Sequence, residues 1–120
     1  VEEGTMVATI RIAVEARPVL DQPVDPAKVV AGTPLTGFVT AHDDEAAGFW
    51  SGVWASQVGA WRVAYEETEL CVILEGRARL ASDDGTSATY GPGEAFVIPR
   101  GFSGVWETLE PLRKIYAIVA

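Results

Sequence analysis

From residue 49 to the end of the chain, short runs of β-branched and aromatic residues alternate with turn residues. The runs are 52–56, 59–65, 70–81, 87–90, 95–99, 104–109 and 113–119, and each predicts a strand. Asp83-Asp84-Gly85 predicts a tight hairpin, and Gly91-Pro92-Gly93-Glu94 and Pro99-Arg100-Gly101 predict further turns. Evenly spaced short strands of this kind predict an all-β sandwich or barrel. Upstream, 7–14 (VATIRIAV) reads as an early strand. Pro18, Pro23, Pro26 and Pro34 make 17–36 an irregular arm laid across the barrel. Within it, Asp25 and Pro26 are suited to cap and open one helical turn. Residues 40–48 read as an acidic loop that carries His42, the single histidine. The organisation expected is one domain: a strand and Pro-rich arm over 1–31, then a barrel over 32–120. Met6 reads as the natural start.

Side chains alternate faces along a strand. Glu69, Cys71 and Ile73 therefore share one face of the 70–81 run, and Leu70, Val72 and Leu74 share the other. Both faces are apolar beyond Glu69. One must line the barrel, and the other needs a second layer or a partner chain. A homodimer that exchanges edge strands would supply that cover.

Charge narrows the partners. The net charge of −8, with nine scattered Lys and Arg, excludes a basic stripe for phosphates and argues against nucleic acid and anionic membranes. No apolar run approaches the ~20 residues that span a bilayer. The acidic N-terminus lacks the features of a signal peptide, and one cysteine forms no internal disulfide. A cytoplasmic location is expected. No phosphate-cradling loop, Ser/His/Asp set, Cys-x-x-Cys pair or redox-cofactor fingerprint is present.

Glu69-Leu-Cys-Val-Ile-Leu-Glu-Gly76 resembles the first cupin motif, and Gly93-Glu-Ala-Phe-Val-Ile-Pro99-Arg-Gly101 resembles the second. Gly52-Val53-Trp54, Gly59-Ala60-Trp61, Glu69-Leu70-Cys71, Gly101-Phe-Ser-Gly104-Val-Trp106-Glu107 and Arg113-Lys114-Ile115-Tyr116 are similar to small cupins of the ureidoglycine aminohydrolase branch. The likeness runs over about 32–120. It implies a jelly-roll barrel (a double-stranded β-helix) with Glu69 facing inward. It also places the family's metal-binding positions on Val63, Tyr65, Glu69 and Gly104. Only Glu69 is a usual ligand, whereas three imidazoles and a carboxylate normally hold the metal. Neither a metal nor another cofactor is expected, and the branch's metal-dependent activity does not carry over.

The expected site is therefore a pocket for a small organic molecule, lined by Trp54, Trp61, Tyr65, Glu69, Cys71, Trp106, Lys114 and Tyr116. Glu69, desolvated at the barrel mouth, is the candidate acid–base or ligand-gripping group, with Tyr65 or Lys114 as its partner. The plain alternative is that Lys114 or an Arg neutralises it. Cys71 reads as a small core residue, and Glu66 and Glu67 as solvated turn residues. His42 reads as a surface residue, or else a lid over the mouth. The Gly at position 104 is expected to open space that Trp rings or a flat ligand occupy. Two other classes stay open: a hydrolase, lyase or isomerase using Glu69, and a non-catalytic sensor or interaction module whose barrel is filled by its own Trp rings. An enzyme with altered metal ligands (Glu69, Tyr65, Cys71, His42) ranks last.

Overall fold

A computed structural model describes residues 7–120. Nine strands follow one another: β1 (Gln22–Pro23), β2 (Val29–Ala31), β3 (Leu35–Asp44), β4 (Phe49–Ser56), β5 (Gly59–Ala64), β6 (Thr68–Ser82), β7 (Ser87–Tyr90), β8 (Ala95–Ile98) and β9 (Ser103–Val119). Every pairing is antiparallel. No helix occurs among the described residues, so none is long and apolar enough to cross a membrane.

The long strand β9 organises the barrel. One of its edges pairs with β5 along Ser103–Thr108 and with β4 along Leu112–Val119. Its other edge pairs with β6 almost end to end. β6 then carries β8 on its first half and β7 on its second. Curling this sheet gives the all-β jelly-roll barrel that the alternation of strands and turns predicts. The core gathers Trp61, Cys71, Ile73, Leu80, Phe96, Ile98, Trp106 and Leu112 on the inward faces.

The two runs expected at 104–109 and 113–119 are one strand. Pro111 interrupts the pattern, yet the strand continues because β6 bulges opposite it, between Glu75 and Ala78. Gly76 sits in that bulge with φ at 82°, and a Cβ there would lie 2.2 Å from the Pro111 carbonyl oxygen. Only glycine meets both demands.

Two upstream expectations are corrected. Residues 40–44 are not loop: β3 runs through them, paired with β4 from Thr36↔Ser56 to Asp44↔Phe49, and only 45–48 turn. Side chains of an outer strand that face solvent can be acidic without weakening the ladder, and this hid the strand. His42 lies in β3 opposite Ser51, half-buried, its ring 6.3 Å from that of Phe49. It is neither a loop residue nor a lid.

Residues 7–14 form no strand, because none of the described residues pairs with them. Instead the arm is tied down by ions. Arg113 Nη1 donates to the Val14 and Ala16 carbonyls at 2.6 and 2.9 Å. Glu75 accepts from Arg113 at 2.9 Å and from Arg17 at 2.6 Å. These two guanidiniums hold the Glu75 carboxyl down at about 2. Beyond, the chain passes so close to β3 that a Cβ on Gly37 would meet the Val19 carbonyl oxygen at 2.0 Å. The turn at 25–28 forms as expected, with Asp25 Oδ1 accepting from Ala27 N at 3.0 Å and Lys28 N donating to the Asp25 carbonyl at 2.9 Å. Met6 lies outside the described residues.

Candidate functional site

Cross-strand register assembles the site. Lys114 on β9 lies opposite Trp54 on β4 and Ile73 on β6. Tyr116 lies opposite Gly52 and Cys71, and Trp106 opposite Trp61. Alternation then turns Trp54, Glu69, Cys71, Trp106, Lys114 and Tyr116 to the same interior.

At the floor is a buried ion pair. Lys114 Nζ donates to Glu69 Oε2 at 2.6 Å, and the two residues are 4 % and 7 % exposed. Nζ also contacts Cys71 Sγ at 3.3 Å, and the thiol donates to the same Oε2 at 3.2 Å. The ammonium stands 4.7 Å from the Trp54 ring centroid and 4.4 Å from that of Trp106. Burial works against a charge on Lys114, but the Glu69 carboxylate against it holds the ammonium's pKa above its ordinary value. Burial pushes the Cys71 thiol up to about 12 and raises the Tyr65 phenol too, so both stay protonated. Burial likewise raises Tyr116.

Indole rings make the walls. Trp54 meets Trp106 edge-on at 5.4 Å, and Trp61 stacks on Trp106 at 6.4 Å. The Trp106 indole N–H donates to Thr108 Oγ1 at 2.9 Å, and Thr108 shares a 2.9 Å hydrogen bond with Ser56. Trp106 is thus fixed as both core and wall.

A cavity of about 470 Å³ opens over this floor. It is lined by Trp54, Trp61, Tyr65, Glu69, Trp106, Lys114 and Tyr116, seven of the eight residues expected from the sequence. A second cavity of about 430 Å³ adjoins it and shares Trp61, Tyr65, Glu69 and Ile118. Glu69 therefore sits at the junction of two arms of one cleft. Cys71, the eighth, is fully buried beneath the pair and touches the cleft only through it.

Sequence reasoning missed Phe38, Asp43, Trp50 and Ile118, which complete the lining. Trp50 shares strand parity with Trp54 and was within reach of the alternation argument. Phe38 and Asp43 were not, because β3 had not been recognised. The bulge between Thr40 and His42 shifts the parity and brings Asp43 to the same face as Phe38.

The positions where a cupin holds metal do not suit one here. Val63 and Tyr65 supply no imidazole, and among the described residues no group of three or more His, Cys, Asp or Glu gathers to hold a metal ion. Gly104 does not open space either. A Cβ there would lie 2.1 Å from the Ala81 carbonyl oxygen, so the β6 backbone occupies the place of a side chain. That corrects the expectation of a void at this position.

Comparison with known proteins matches this geometry. The family model of the EutQ-like cupin domain matches residues 44–116, well over half of the chain, and the chain belongs to that family. A solved structure from Pseudomonas syringae pv. tomato, described as a protein with unknown function of the DUF861 family, is 25% identical with a TM-score of 0.81. The match covers 90% of this chain but 46% of that one, so this chain spans just under half of its relative. A DUF861 family protein from Thermotoga maritima is 33% identical over 53% of this chain and 73% of its own, with a TM-score of 0.52. The Clostridium difficile EutQ protein shares the fold at 16% identity and a TM-score of 0.64, over 72% of this chain and 63% of its own. No curated protein matches.

Proposed function

We propose that this member of the EutQ-like cupin family binds a small organic molecule in its barrel, with Glu69 as the acceptor that receives a ligand N–H or O–H. One observation carries the reading. Both hydrogen bonds from Lys114 and Cys71 fall on Glu69 Oε2, which leaves Oε1 without a partner among the described residues, and Glu69 lines both cavities. Aromatic walls with a few convergent polar groups are the usual make-up of a small-molecule pocket. The cleft's open volume beside the Trp rings counts against a barrel filled by its own side chains.

Binding is favoured over turnover. Acid–base work needs a carboxyl with room to pass a proton to and from a ligand, and one oxygen of Glu69 is already held by both Lys114 and Cys71. The motifs shared with the ureidoglycine aminohydrolase branch support the inward placement of Glu69. The metal-dependent hydrolysis of that branch is not part of the reading, because Val63, Tyr65 and Gly104 stand at its ligand positions.

The test is a titration of small amines, alcohols and their donor-free isosteres, followed by Trp fluorescence and thermal shift. Donor-bearing compounds should bind and Trp61→Ala should weaken them. Equal binding of donor-free isosteres, or no response to any compound, rejects the proposal.

We further propose a homodimer. Support comes from apolar residues left on the outside: Leu70, Val97 and Val119 are 45%, 57% and 49% exposed, and Val7 in the extended N-terminal segment is 83% exposed. A monomeric mass by light scattering at micromolar concentration would refute it.

A further inference from the structure

We propose that Lys114 is the resident cation of this barrel: its ammonium takes, at Glu69, the place that a divalent metal takes in a metal-binding cupin.

The ammonium is surrounded as a bound ion would be. A carboxylate oxygen lies at 2.6 Å, a sulfur at 3.3 Å, and two indole faces at 4.7 and 4.4 Å. These partners come from β4, β6 and β9, so the cation ties three strands together, as a structural metal ties its ligands. The barrel also lacks what a metal needs. Imidazoles are absent at Val63 and Tyr65, and Gly104 cannot accept one because the Ala81 carbonyl fills the space.

Exclusion follows from distance. A metal on Glu69 Oε2 would sit about 2 Å from that oxygen. Nζ already occupies the same oxygen, and two cations so close in a desolvated site repel strongly. A tethered cation differs from a metal in two further ways. It is not lost to chelators, and it donates protons to acceptors instead of accepting lone pairs. The cleft therefore offers a ligand the charge of Glu69 Oε1 and no Lewis acid. Metal-chelating oxyanions are disfavoured as ligands, whichever donor-bearing compound the cleft takes.

The experiment replaces the tethered cation with a free one. Lys114→Ala should lower the thermal midpoint. Millimolar n-propylammonium, which matches the missing side chain, should restore part of it. Tetramethylammonium, which donates no hydrogen bond, should not. Wild type should respond to neither, should keep its midpoint in EDTA, and should hold far less than one equivalent of manganese, iron, nickel or zinc after dialysis. Near-stoichiometric metal in wild type, lost in Glu69→Gln, overturns the proposal. So does a Lys114→Ala protein as stable as wild type with and without the amine. Where Lys114→Ala does not fold, wild type labelled with ¹⁵N-lysine decides. One protected ammonium resonance, with contacts to indole protons and undisturbed by added zinc, is expected; its one-to-one displacement by zinc refutes the idea.

Discussion

Replacing Lys114 by Met removes the charge and keeps most of the side-chain volume. Glu69, 7 % exposed, is then left with only the Cys71 thiol on Oε2. Breaking a buried ion pair from one side costs about 3–5 kcal/mol, because the remaining charge stays desolvated. Loss of the cation over Trp54 and Trp106 adds roughly 0.5–1 kcal/mol for each ring. A loss of about 4–7 kcal/mol is expected, which at roughly 3–5 °C per kcal/mol for a chain of this size lowers the midpoint by roughly 12–35 °C. The double variant Glu69→Leu/Lys114→Met removes both charges and should recover much of that loss, since apolar replacement of a buried pair is often neutral or stabilising. Urea unfolding of wild type, both single variants and the double variant, followed by circular dichroism, gives the coupling energy. A cost for Lys114→Met under about 1 kcal/mol, or a coupling near zero, would refute the claim that this pair is a desolvated unit.

Three further outcomes follow from other parts of the barrel. Glu75 has its carboxyl lowered from an ordinary 4.5 to about 2 by Arg113 and Arg17, so its stabilising contribution is complete above pH 4.5 and disappears as pH falls toward 2. The protection of amides in residues 11–17, taken relative to the intrinsic exchange rate at each pH, should therefore fall between pH 4.5 and 2.5, and Glu75→Gln should abolish that fall. Gly104→His, which restores the cupin pattern on paper, should yield no metal site and should cost at least about 1–3 kcal/mol in urea unfolding, since its Cβ would lie 2.1 Å from the Ala81 carbonyl oxygen. With its pKa at about 12, Cys71 has roughly one thiolate in 10⁴ at pH 8, so iodoacetamide should modify it only in denaturant.

Fold and site were legible to different depths. Period-two alternation and turn residues sufficed for β4 to β8 and for β9 as two separate halves, because those strands bury one face and their turns need glycine, proline or aspartate. β3 was hidden: its outer position lets Asp43 and Asp44 stand where the pattern expects apolar residues. The VATIRIAV run misled in the opposite sense, since a strand needs a backbone to pair with and this segment pairs with none among the described residues. For the site, parity joined to the cupin resemblance, which turns Glu69 inward, collected Trp54, Trp61, Trp106, Glu69, Lys114 and Tyr116. It left the pairing of Lys114 with Glu69 as one alternative among several, because deciding it needs the register of β6 against β9, in which Ile73 stands opposite Lys114 and Ile118 opposite Glu69. It did not reveal that Gly104 is filled by backbone, which depends on how closely two strands approach.

The ion pair also bears on what the barrel is for. If the interior served packing alone, Leu and Met at positions 69 and 114 would fill it without desolvating two charges. Stability is therefore a weak account of the pair. Its geometry suits a different role. Lys114 and Cys71 converge on one oxygen of Glu69 and fix the orientation of the carboxylate, while the residue itself lines both cavities. A carboxylate held in one orientation before the ligand arrives loses little freedom on binding, and preorganisation of this kind raises affinity without added contacts. Trp106, held through Thr108 to Ser56, is rigid for the same reason. The costly features of the interior thus share one property: each fixes a polar or aromatic group against the cleft. That is the organisation the proposed binding function calls for.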